Sequence, residues 1–288
     1  MTEGFAYVDG KATTLAKAWV PLSDRGFLLG DGVFETLRTC NGEPFRLQEH
    51  ADRLRRGLKA INLDESLEEE FEDAVSMLVK KGKKEFGGEL YVRINVTTGP
   101  MEDVLGTGRG MSVTGICKKF KPYPMQYYSR GIQVVVSRQR KDTRSPLSAV
   151  KTLSFLPYIA ARREAHSQTA HDALLLNEHD RVAEASTSNV FAVVGDKLHA
   201  PGEKEGAIPG VTRAVVLELA KDADLAVAEP LTLAQLGKAK EMFLTNTTGG
   251  IVPVTRFGDK PVGKGQKGEL TAQLSHALEA MLRGNGHA

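Results

Sequence analysis

The sequence predicts a mixed α/β fold in two domains, and three observations support this fold class. The chain has 288 residues, of which 41% are hydrophobic, enough for one large or two medium cores. Strand-like and helix-like periodicities alternate in both halves, without the regular strand–helix–strand cadence of a dinucleotide-binding domain. A lysine- and proline-rich segment between the halves indicates a linker. We therefore expect domains at residues 1–120 and 132–288, joined by a linker at residues 121–131.

The first half begins with strands and turns, followed by two helices and a further strand. The predicted elements are a strand from Phe5 to Val8, a turn at Asp9-Gly10, a helix from Leu47 to Ile61, a second helix that Ser66 and Glu69 can cap, and a strand from Leu90 to Thr97. In the last of these, apolar and polar residues alternate strictly. One face of that strand is polar enough to line a binding site.

The second half mixes shorter strands with three helices. The predicted elements are a strand at 132–137, a basic loop at 138–144, a helix at 153–165, strands at 173–176, 189–194 and 241–245, a helix after Pro209-Gly210, and a terminal helix at 268–282. Both halves therefore combine helices with strands, as a mixed α/β fold requires.

Charge and cysteine content argue against several classes of protein. Lysine plus arginine total 38 against 36 acidic residues, so the net charge of +2 gives no electrostatic reason to expect nucleic acid or anionic lipid as a partner. Cys40 and Cys117 form no CxxC pair, which argues against a disulfide framework and a thiolate metal site. Neither a membrane-length apolar run nor the pattern of a signal peptide is visible. We expect a cytoplasmic protein.

Other motifs that carry chemistry are weak in this chain. The histidines lack HExxH or HxH spacing and there is no GxSxG turn, so we expect neither a metal site nor a serine nucleophile. Residues 258–265 match the GxxxxGK of a phosphate-binding loop, but Gly265 stands where a magnesium-binding Ser or Thr is required. Pro261 lies within the segment, and no helix opens directly after it. A hairpin is the favoured interpretation, and a nonenzymatic nucleotide-binding protein is the alternative.

Lys151 and Glu184 are two charged residues that a scaffold role explains poorly. Lys151 lies among apolar residues, where desolvation lowers the pKa of a lysine and leaves a usable neutral amine. The alternative is a surface lysine whose stem covers apolar side chains. Glu184 is flanked by small residues that leave space for a planar ligand, and its alternative is an ordinary turn acid.

Two further segments have the composition of anion sites. Residues 208–213 open a helix with free backbone amides, which favours a bound phosphate. Residues 245–250 form a second turn that is rich in hydroxyl groups. Either segment could also be no more than a cap.

Together and in this order, seven segments resemble the class IV aminotransferases, the family of branched-chain and D-amino acid aminotransferases and of 4-amino-4-deoxychorismate lyase. The segments are GDGVFETLR, LQEHADRL, YVR, VKTLSFLPYIAARREA, VAEASTSNVF, IPGVTR and FLTNTTGGIVPV. The resemblance runs from about Asp24 to the last helix. One such segment is weak evidence, whereas seven in register are very improbable by chance.

The resemblance implies a pyridoxal 5'-phosphate enzyme of fold type IV, with a small N-terminal α/β domain and a larger C-terminal domain that has a β-barrel-like core. It implies that Lys151 is the catalytic residue and carries the cofactor as a Schiff base. It also implies that Glu184 faces the pyridine nitrogen, where a carboxylate favours the protonated ring and makes it an electron sink. The implied ligands of the cofactor phosphate are Arg53, Val211, Thr212 and Thr247. The implied assembly is a homodimer whose partner loop helps to close the site.

The resemblance also indicates how a substrate is held. Tyr91 and Arg93 resemble the YxR motif of branched-chain enzymes, which holds the substrate carboxylate together with the turn around Thr247 and Thr248. Thr36 is a further expected substrate contact. We therefore expect transamination between an α-amino acid, branched-chain or of broad range, and a 2-oxo acid.

Two positions depart from the branched-chain pattern, and a third departs from the pattern of D-amino acid aminotransferases. Thr36 replaces the Gly of the FEGIR motif, as in lyase-like members. Phe155 stands near the position where a Tyr contacts the cofactor hydroxyl. Thr98 stands where D-amino acid enzymes carry a carboxylate-binding Arg. The alternatives are 4-amino-4-deoxychorismate lyase, which forms p-aminobenzoate and pyruvate, and, less favoured, a D-amino acid aminotransferase.

Overall fold

The computed structural model describes residues 3–63, 67–101 and 110–284, which form two compact units. The first unit comprises Met1–Lys121 together with Val150–Phe155, and the second comprises Pro122–Ala149 together with Leu156–Ala288. The segment that contains Lys151 therefore packs with the first unit, although it lies beyond the expected linker in the sequence. The division into domains at 1–120 and 132–288 stays a prediction.

The first unit is an antiparallel sheet covered by helices on one face. Its strands are β1 Phe5–Val8, β2 Lys11–Thr14, β3 Gly32–Cys40, β4 Glu43–Pro44, β5 Leu90–Thr97 and β6 Ser112–Lys119, and its helices are α1 Arg25–Leu29, α2 Leu47–Ala60 and α3 Glu68–Phe86. The strand order is β2-β1-β6-β5-β3-β4. The apolar face of β5 is fully buried and forms the core with α2 and α3, which confirms the predicted alternation.

The local predictions for the first half are confirmed where the structure describes them. The β1–β2 connection is a two-residue turn in which Asp9 and Gly10 have φ of 40° and 83°. Positive φ at both positions is the hairpin geometry that Asp-Gly favours. The predicted capping box of the second helix includes Ser66, which lies outside the described residues.

The segment 150–155 extends the first sheet at the edge of β3. Phe34 N donates to Lys151 O at 3.1 Å, and Leu153 N donates to Gly32 O at 2.9 Å. A Cβ at Gly32 would lie 2.2 Å from Val96 O of β5 and 2.9 Å from Leu153 Cδ1, so only glycine fits between β5 and this segment. This pairing places Lys151 beside β3.

The second unit is built on a larger mixed sheet. Its strands are β7 Ile132–Lys141, β8 Asp172–Asn177, β9 Val182–Ala185, β10 Asn189–Val194, β11 Lys197–His199, β12 Val227–Ala228, β13 Glu241–Asn246, β14 Gly250–Phe257 and β15 Lys260–Pro261. Its helices are α4 Met125–Ser129, α5 Leu156–Ser167, α6 Val211–Asp222, α7 Leu233–Leu236 and α8 Glu269–Leu282. The strand order is β12-β11-β10-β13-β14-β7-β8-β9, with β15 paired to β14.

The large sheet curls into a half-barrel. β9 is the strand at one edge of this sheet, and β10 is the third strand from the opposite edge. Only residues 186–188 connect β9 to β10 in the sequence. A three-residue connection between these strands requires the sheet to curve back on itself. The enclosed core is apolar and includes Val134, Leu174, Val190, Leu244 and Val252. The predicted mixed α/β fold, with a barrel-like core in its second part, is confirmed.

Two predictions for the second half are wrong, and each error has a physical cause. The basic segment 138–144 is not wholly a loop, because β7 continues to Lys141 with Ser137 and Lys141 buried. The helix predicted at 153–165 begins only at Leu156, since residues 150–155 pair with β3. By contrast, residues 257–261 form the predicted hairpin between β14 and β15, and α8 begins only at Glu269.

Candidate active site

The amine of Lys151 lies against aromatic rings of the first unit. Its Nζ is 4.2 Å from the centroid of the Phe34 ring and 5.5 Å from that of Phe155. The two rings meet edge to face, with centroids 5.4 Å apart. Lys151 itself is half-buried. A cation over ring faces is attracted by the ring quadrupole, so the amine is kept at this position instead of extending into solvent.

A polar face of the first sheet lies next to this amine. Thr36 pairs with Arg93, and Arg38 pairs with Tyr91, in the β3–β5 register. The guanidinium carbon of Arg93 is 3.7 Å from the centroid of Phe34, the same ring that Lys151 contacts. Burial lowers the pKa of Arg93, and the neighbouring Tyr91 opposes that shift. The first unit therefore brings the predicted residues Lys151, Thr36, Tyr91 and Arg93 to one region around Phe34.

Arg53 lies in a buried cluster on the helix side of the same sheet. Its Nε donates to Glu35 Oε1 at 2.7 Å, and its Nη2 donates to Glu35 Oε2 at 2.7 Å. His50 Nδ1 is 2.8 Å from Glu35 Oε2. Burial raises the pKa of Glu35, but the charge and hydrogen bonds of Arg53 and His50 hold it well below its ordinary value. The predicted phosphate ligand Arg53 is thus fixed in place by protein groups.

Sequence reasoning missed Glu35 and His50 as members of this cluster. His50 and Arg53 are one turn apart on α2, and Glu35 sits among the inward-facing residues of β3. Burial lowers the pKa of His50, so the neutral imidazole is favoured and Nδ1 can donate to Glu35. A charged residue at an inward position of a strand was the signal that could have revealed the cluster.

Glu184 lies in the second unit, on the face of the large sheet that packs against α5. It stands opposite Leu175 in the β8–β9 register and is 3% exposed. Glu184 Oε2 accepts a hydrogen bond from Ile208 N at 3.1 Å. Glu184 Oε1 accepts from Lys141 Nζ at 3.0 Å and from Tyr158 OH at 2.9 Å. The sequence does not reveal either partner, because the basic segment that contains Lys141 predicts a loop and no motif marks Tyr158.

The first turn of α6 and the turn after β13 offer hydrogen-bond donors in the second unit. Gly210 is the N-cap of α6 and provides no side-chain cap, so the amides of Val211 and Thr212 point out of the helix end. Within the part of the chain that the structure describes, the side chains of Thr212 and Thr247 make no hydrogen bond. Backbone amides at a helix N-terminus with adjacent hydroxyls suit an anion. The residues present therefore fit a phosphate group.

A buried hydroxyl close to this turn supports the fit. Among the described residues, Thr245 Oγ1 is buried and has no hydrogen-bond partner. Thr245 pairs with Asn189, and a Cβ at Gly210 would lie 2.0 Å from Asn189 Oδ1. The unsatisfied hydroxyl thus lies close to the start of α6. Buried hydroxyls normally find a partner, so a ligand atom can satisfy this one.

Thr248 is already engaged by its own turn. Its amide and hydroxyl both donate to Asn246 Oδ1, each at 3.1 Å, and Gly249 N donates to the same oxygen at 2.6 Å. Asn246 in turn donates to Ser188 Oγ at 2.8 Å. The turn is therefore rigid, and Thr247 rather than Thr248 keeps its side chain available.

Comparison with known proteins identifies the family. The profile of the amino-transferase class IV family matches residues 32–257, and the chain belongs to this family. A putative branched-chain-amino-acid aminotransferase of Methanocaldococcus jannaschii is 34% identical over 276 residues, which cover 95% of this chain and 94% of the relative. A D-alanine aminotransferase of Listeria monocytogenes is 30% identical over 285 residues, covering 93% of each chain.

A solved structure supports the same family. The chain resembles the crystal structure of 4-amino-4-deoxychorismate lyase from Pseudomonas aeruginosa with a TM-score of 0.82 and 29% identity, covering 96% of this chain and 99% of that chain. Membership of the family implies pyridoxal phosphate as the cofactor and amino acids and 2-oxo acids as substrates.

Within residues 3–63, 67–101 and 110–284, no helix combines the length and apolar character needed to cross a membrane.

Proposed function

We propose that this protein is a pyridoxal-phosphate-dependent aminotransferase in which Lys151 binds the cofactor covalently. The observation that carries the proposal is the Lys151 amine held 4.2 Å from the Phe34 ring, beside the polar face that carries Arg93. The amine packs against an aromatic ring and lies close to a guanidinium. A guanidinium can bind the carboxylate of an amino acid while an amine nearby moves the proton at its Cα, so this arrangement suits a reaction at Cα. Membership of the family supports the same reaction class.

The roles of the charged residues follow from their surroundings. When bound, pyridoxal phosphate supplies an electron sink that stabilises negative charge at the substrate Cα. Glu184 would accept a hydrogen bond from the protonated ring nitrogen, and Lys151 Nζ would take and return the proton at Cα. The cofactor phosphate would be held by the amides of Val211 and Thr212, the hydroxyls of Thr212 and Thr247, and Arg53. The substrate carboxylate is bound by Tyr91, Arg93 and Thr36, with Thr247 and the turn at Thr248.

The preferred amino donor is a branched-chain or similar α-amino acid. The name of the Methanocaldococcus relative supports this choice, as do Tyr91 and Arg93 on β5. A guanidinium presents a planar fork that binds a carboxylate with two hydrogen bonds. Thr98 donates to Asp31 Oδ2 at 2.8 Å, so it is committed within the first unit and supplies no cation for a carboxylate. This favours an L-amino acid as the substrate over D-alanine, the amino acid in the name of the Listeria relative.

A second candidate is 4-amino-4-deoxychorismate lyase. Two observations favour it: Thr36 in place of Gly, and the 29% identity to the Pseudomonas lyase. A panel of L- and D-amino acids with 2-oxoglutarate or pyruvate separates the candidates. Keto acid formed from branched-chain L-amino acids supports the aminotransferase. Release of pyruvate and p-aminobenzoate from aminodeoxychorismate without an amino acceptor, and no keto acid from amino acids, supports the lyase.

Two variants test the covalent attachment. We expect Lys151→Ala to lose nearly all turnover and the reducible covalent adduct, because the amine that bonds the cofactor and moves the proton is gone. Lys264→Ala is the matched control, since it removes a lysine from the segment that resembles a phosphate-binding loop. Borohydride reduction followed by peptide mapping measures the adduct. An adduct that persists in Lys151→Ala contradicts the assignment, and nucleotide binding lost in Lys264→Ala would favour the nucleotide-binding alternative.

We propose further that the protein is a cytoplasmic homodimer. Trp19, Leu22 and Phe27 are 73%, 79% and 69% exposed within one short segment. A cluster of exposed large apolar side chains marks an interaction surface, and a second copy of the chain can cover it. Sedimentation velocity should give a dimer, and Phe27→Asp should shift it towards monomer.

The proposed cytoplasmic location is supported by the free thiols of Cys40 and Cys117, which suit a reducing compartment.

A further inference from the structure

Lys141, Tyr158 and Glu184 form a buried polar cluster in the second unit. Lys141 ends β7, Tyr158 lies in the first turn of α5, and Glu184 lies in β9. Lys141 and Glu184 are 43 residues apart in the sequence, and their side chains are 8% and 4% exposed. An isolated lysine or carboxylate is too costly to bury, so each is retained here because the other balances its charge.

Every hydrogen of the Lys141 ammonium has an acceptor. Its Nζ donates to Ser148 O, to Tyr158 OH and to Glu184 Oε1. An ammonium has three N–H donors, so this set is complete. Lys141 is therefore locked in place and is not a mobile surface lysine.

Tyr158 acts as a donor towards Glu184. Burial raises the pKa of Tyr158, and the adjacent Glu184 carboxylate raises it further, so the phenol keeps its proton. The hydroxyl accepts from Lys141 and donates to Glu184 Oε1 at 2.9 Å. Lys141 thus contacts Glu184 both directly and through Tyr158.

The hydrogen bonds of Glu184 leave one acceptor site open. A carboxylate has about four lone-pair sites, two on each oxygen. Oε1 uses both of its sites for Lys141 and Tyr158, and Oε2 uses one for Ile208 N. One lone pair of Oε2 remains for a further donor.

We propose that Lys141 and Tyr158 are positioning residues that hold Glu184 in one orientation, which leaves a single Oε2 lone pair for the ring nitrogen of the cofactor. This inference rests on the proposed function. Without Lys141, the buried carboxylate loses its counter-charge and a hydrogen-bond donor, so it can rotate. A rotated carboxylate is a poor acceptor for the ring N–H, and the chemical step would then slow.

Three variants and a control test the inference in the cofactor-loaded protein. Lys141→Met should lower kcat per bound cofactor about tenfold, with little change in KM for the amino acid, because a hydrogen bond to a charged group is lost. Lys141→Arg should restore kcat to within about threefold, since it keeps the charge and the donors. Tyr158→Phe removes one hydroxyl and should cost about three- to tenfold. Lys221→Met, on the exposed side of α6, should equal the unchanged protein.

A second readout does not depend on turnover. The apo proteins should bind pyridoxal phosphate about tenfold more weakly in Lys141→Met than in Lys221→Met, as measured by a fluorescence titration. If Lys141→Met does not fold, Tyr158→Phe answers the question, because it preserves the shape of the side chain. A variant that loses only thermal stability, with kcat per bound cofactor and cofactor affinity equal to the control, overturns the inference.

The inference and the proposed function fail in different ways. An unchanged protein that neither takes up the cofactor nor transaminates overturns both. An unchanged protein that is loaded and active, alongside Lys141→Met and Tyr158→Phe variants that match the control, overturns the inference alone.

Discussion

At the scale of single residues, the pairing of Arg53 with Glu35 is fixed before any ligand arrives. Both oxygens of Glu35 accept from the guanidinium at 2.7 Å, and the two side chains are almost fully buried. A guanidinium held by a bidentate carboxylate loses little further freedom when it binds an anion. Under the proposed function, in which Arg53 binds the cofactor phosphate, Glu35 is the residue that positions Arg53.

Replacing Glu35 with glutamine should destabilise the protein strongly. The change leaves the Arg53 charge buried without its partner, which costs about 3 kcal/mol in the free energy of unfolding. Denaturant titration measures the cost. Glu89→Gln is the control: it removes the partner of Arg38 from an ion pair in which Glu89 is 49% exposed, so its effect should stay below about 1 kcal/mol. Equal effects for the two variants would contradict this account.

At the scale of elements, the start of α6 has the features of an anion-binding site. Gly210 precedes the helix, and a Cβ there would lie 2.0 Å from Asn189 Oδ1, so no side chain can occupy the position and cap the helix. The first amides then stay available for an anion, and the helix dipole favours negative charge at that end.

The Thr212→Val and Thr247→Val variants test this site. Each should weaken binding of pyridoxal phosphate to the apo protein about fivefold, because each loses one hydroxyl hydrogen bond, about 1 kcal/mol, to the phosphate. Pyridoxal without the phosphate is the internal control, and its affinity should not change. If both ligands weaken to the same extent, the threonines do not contact the phosphate.

At the scale of the whole molecule, the buried cluster of His50 and Glu35 makes stability depend on pH. Burial lowers the pKa of His50 from its ordinary value of 6.5. Burial raises the pKa of Glu35, but Arg53 and His50 outweigh this effect, so the pKa of Glu35 lies below its ordinary value of 4.5. Both groups bind protons more readily in the unfolded chain than in the folded one. Both groups therefore contribute to the free energy of unfolding at neutral pH. The contribution of His50 is lost as the pH falls below about 6.5, and that of Glu35 is lost below about 4.5.

The slope of stability against pH tests this assignment. The free energy of unfolding should decrease between pH 7 and pH 5, and His50→Asn should flatten that decrease, because asparagine can donate to Glu35 without titrating. His171 keeps part of the slope in the variant, since burial lowers its pKa as well. A slope that survives His50→Asn in full would rule out His50 as a source.

The elements themselves were largely predictable from local periodicity. The strand Leu90–Thr97 begins and ends where the pattern places it, and the helix that follows Gly210 begins where the pattern places its start. Alternation and helical spacing report which face of a segment is buried, and that information is local. The same logic failed for Lys141, because a lysine at an inward position looks like part of a basic loop until its partner is known.

The sequence by itself determined the family, the mixed α/β class and the residues that deserve tests, because these depend on short motifs and local patterns. Only the tertiary structure decided which charges meet. Glu35 meets Arg53 across 18 residues through the packing of α2 on β3, and Glu184 meets Lys141 across 43 residues through the pairing of β7, β8 and β9. The physical reason is that buried ions are stable only as pairs, and pairing depends on long-range geometry that no local pattern encodes.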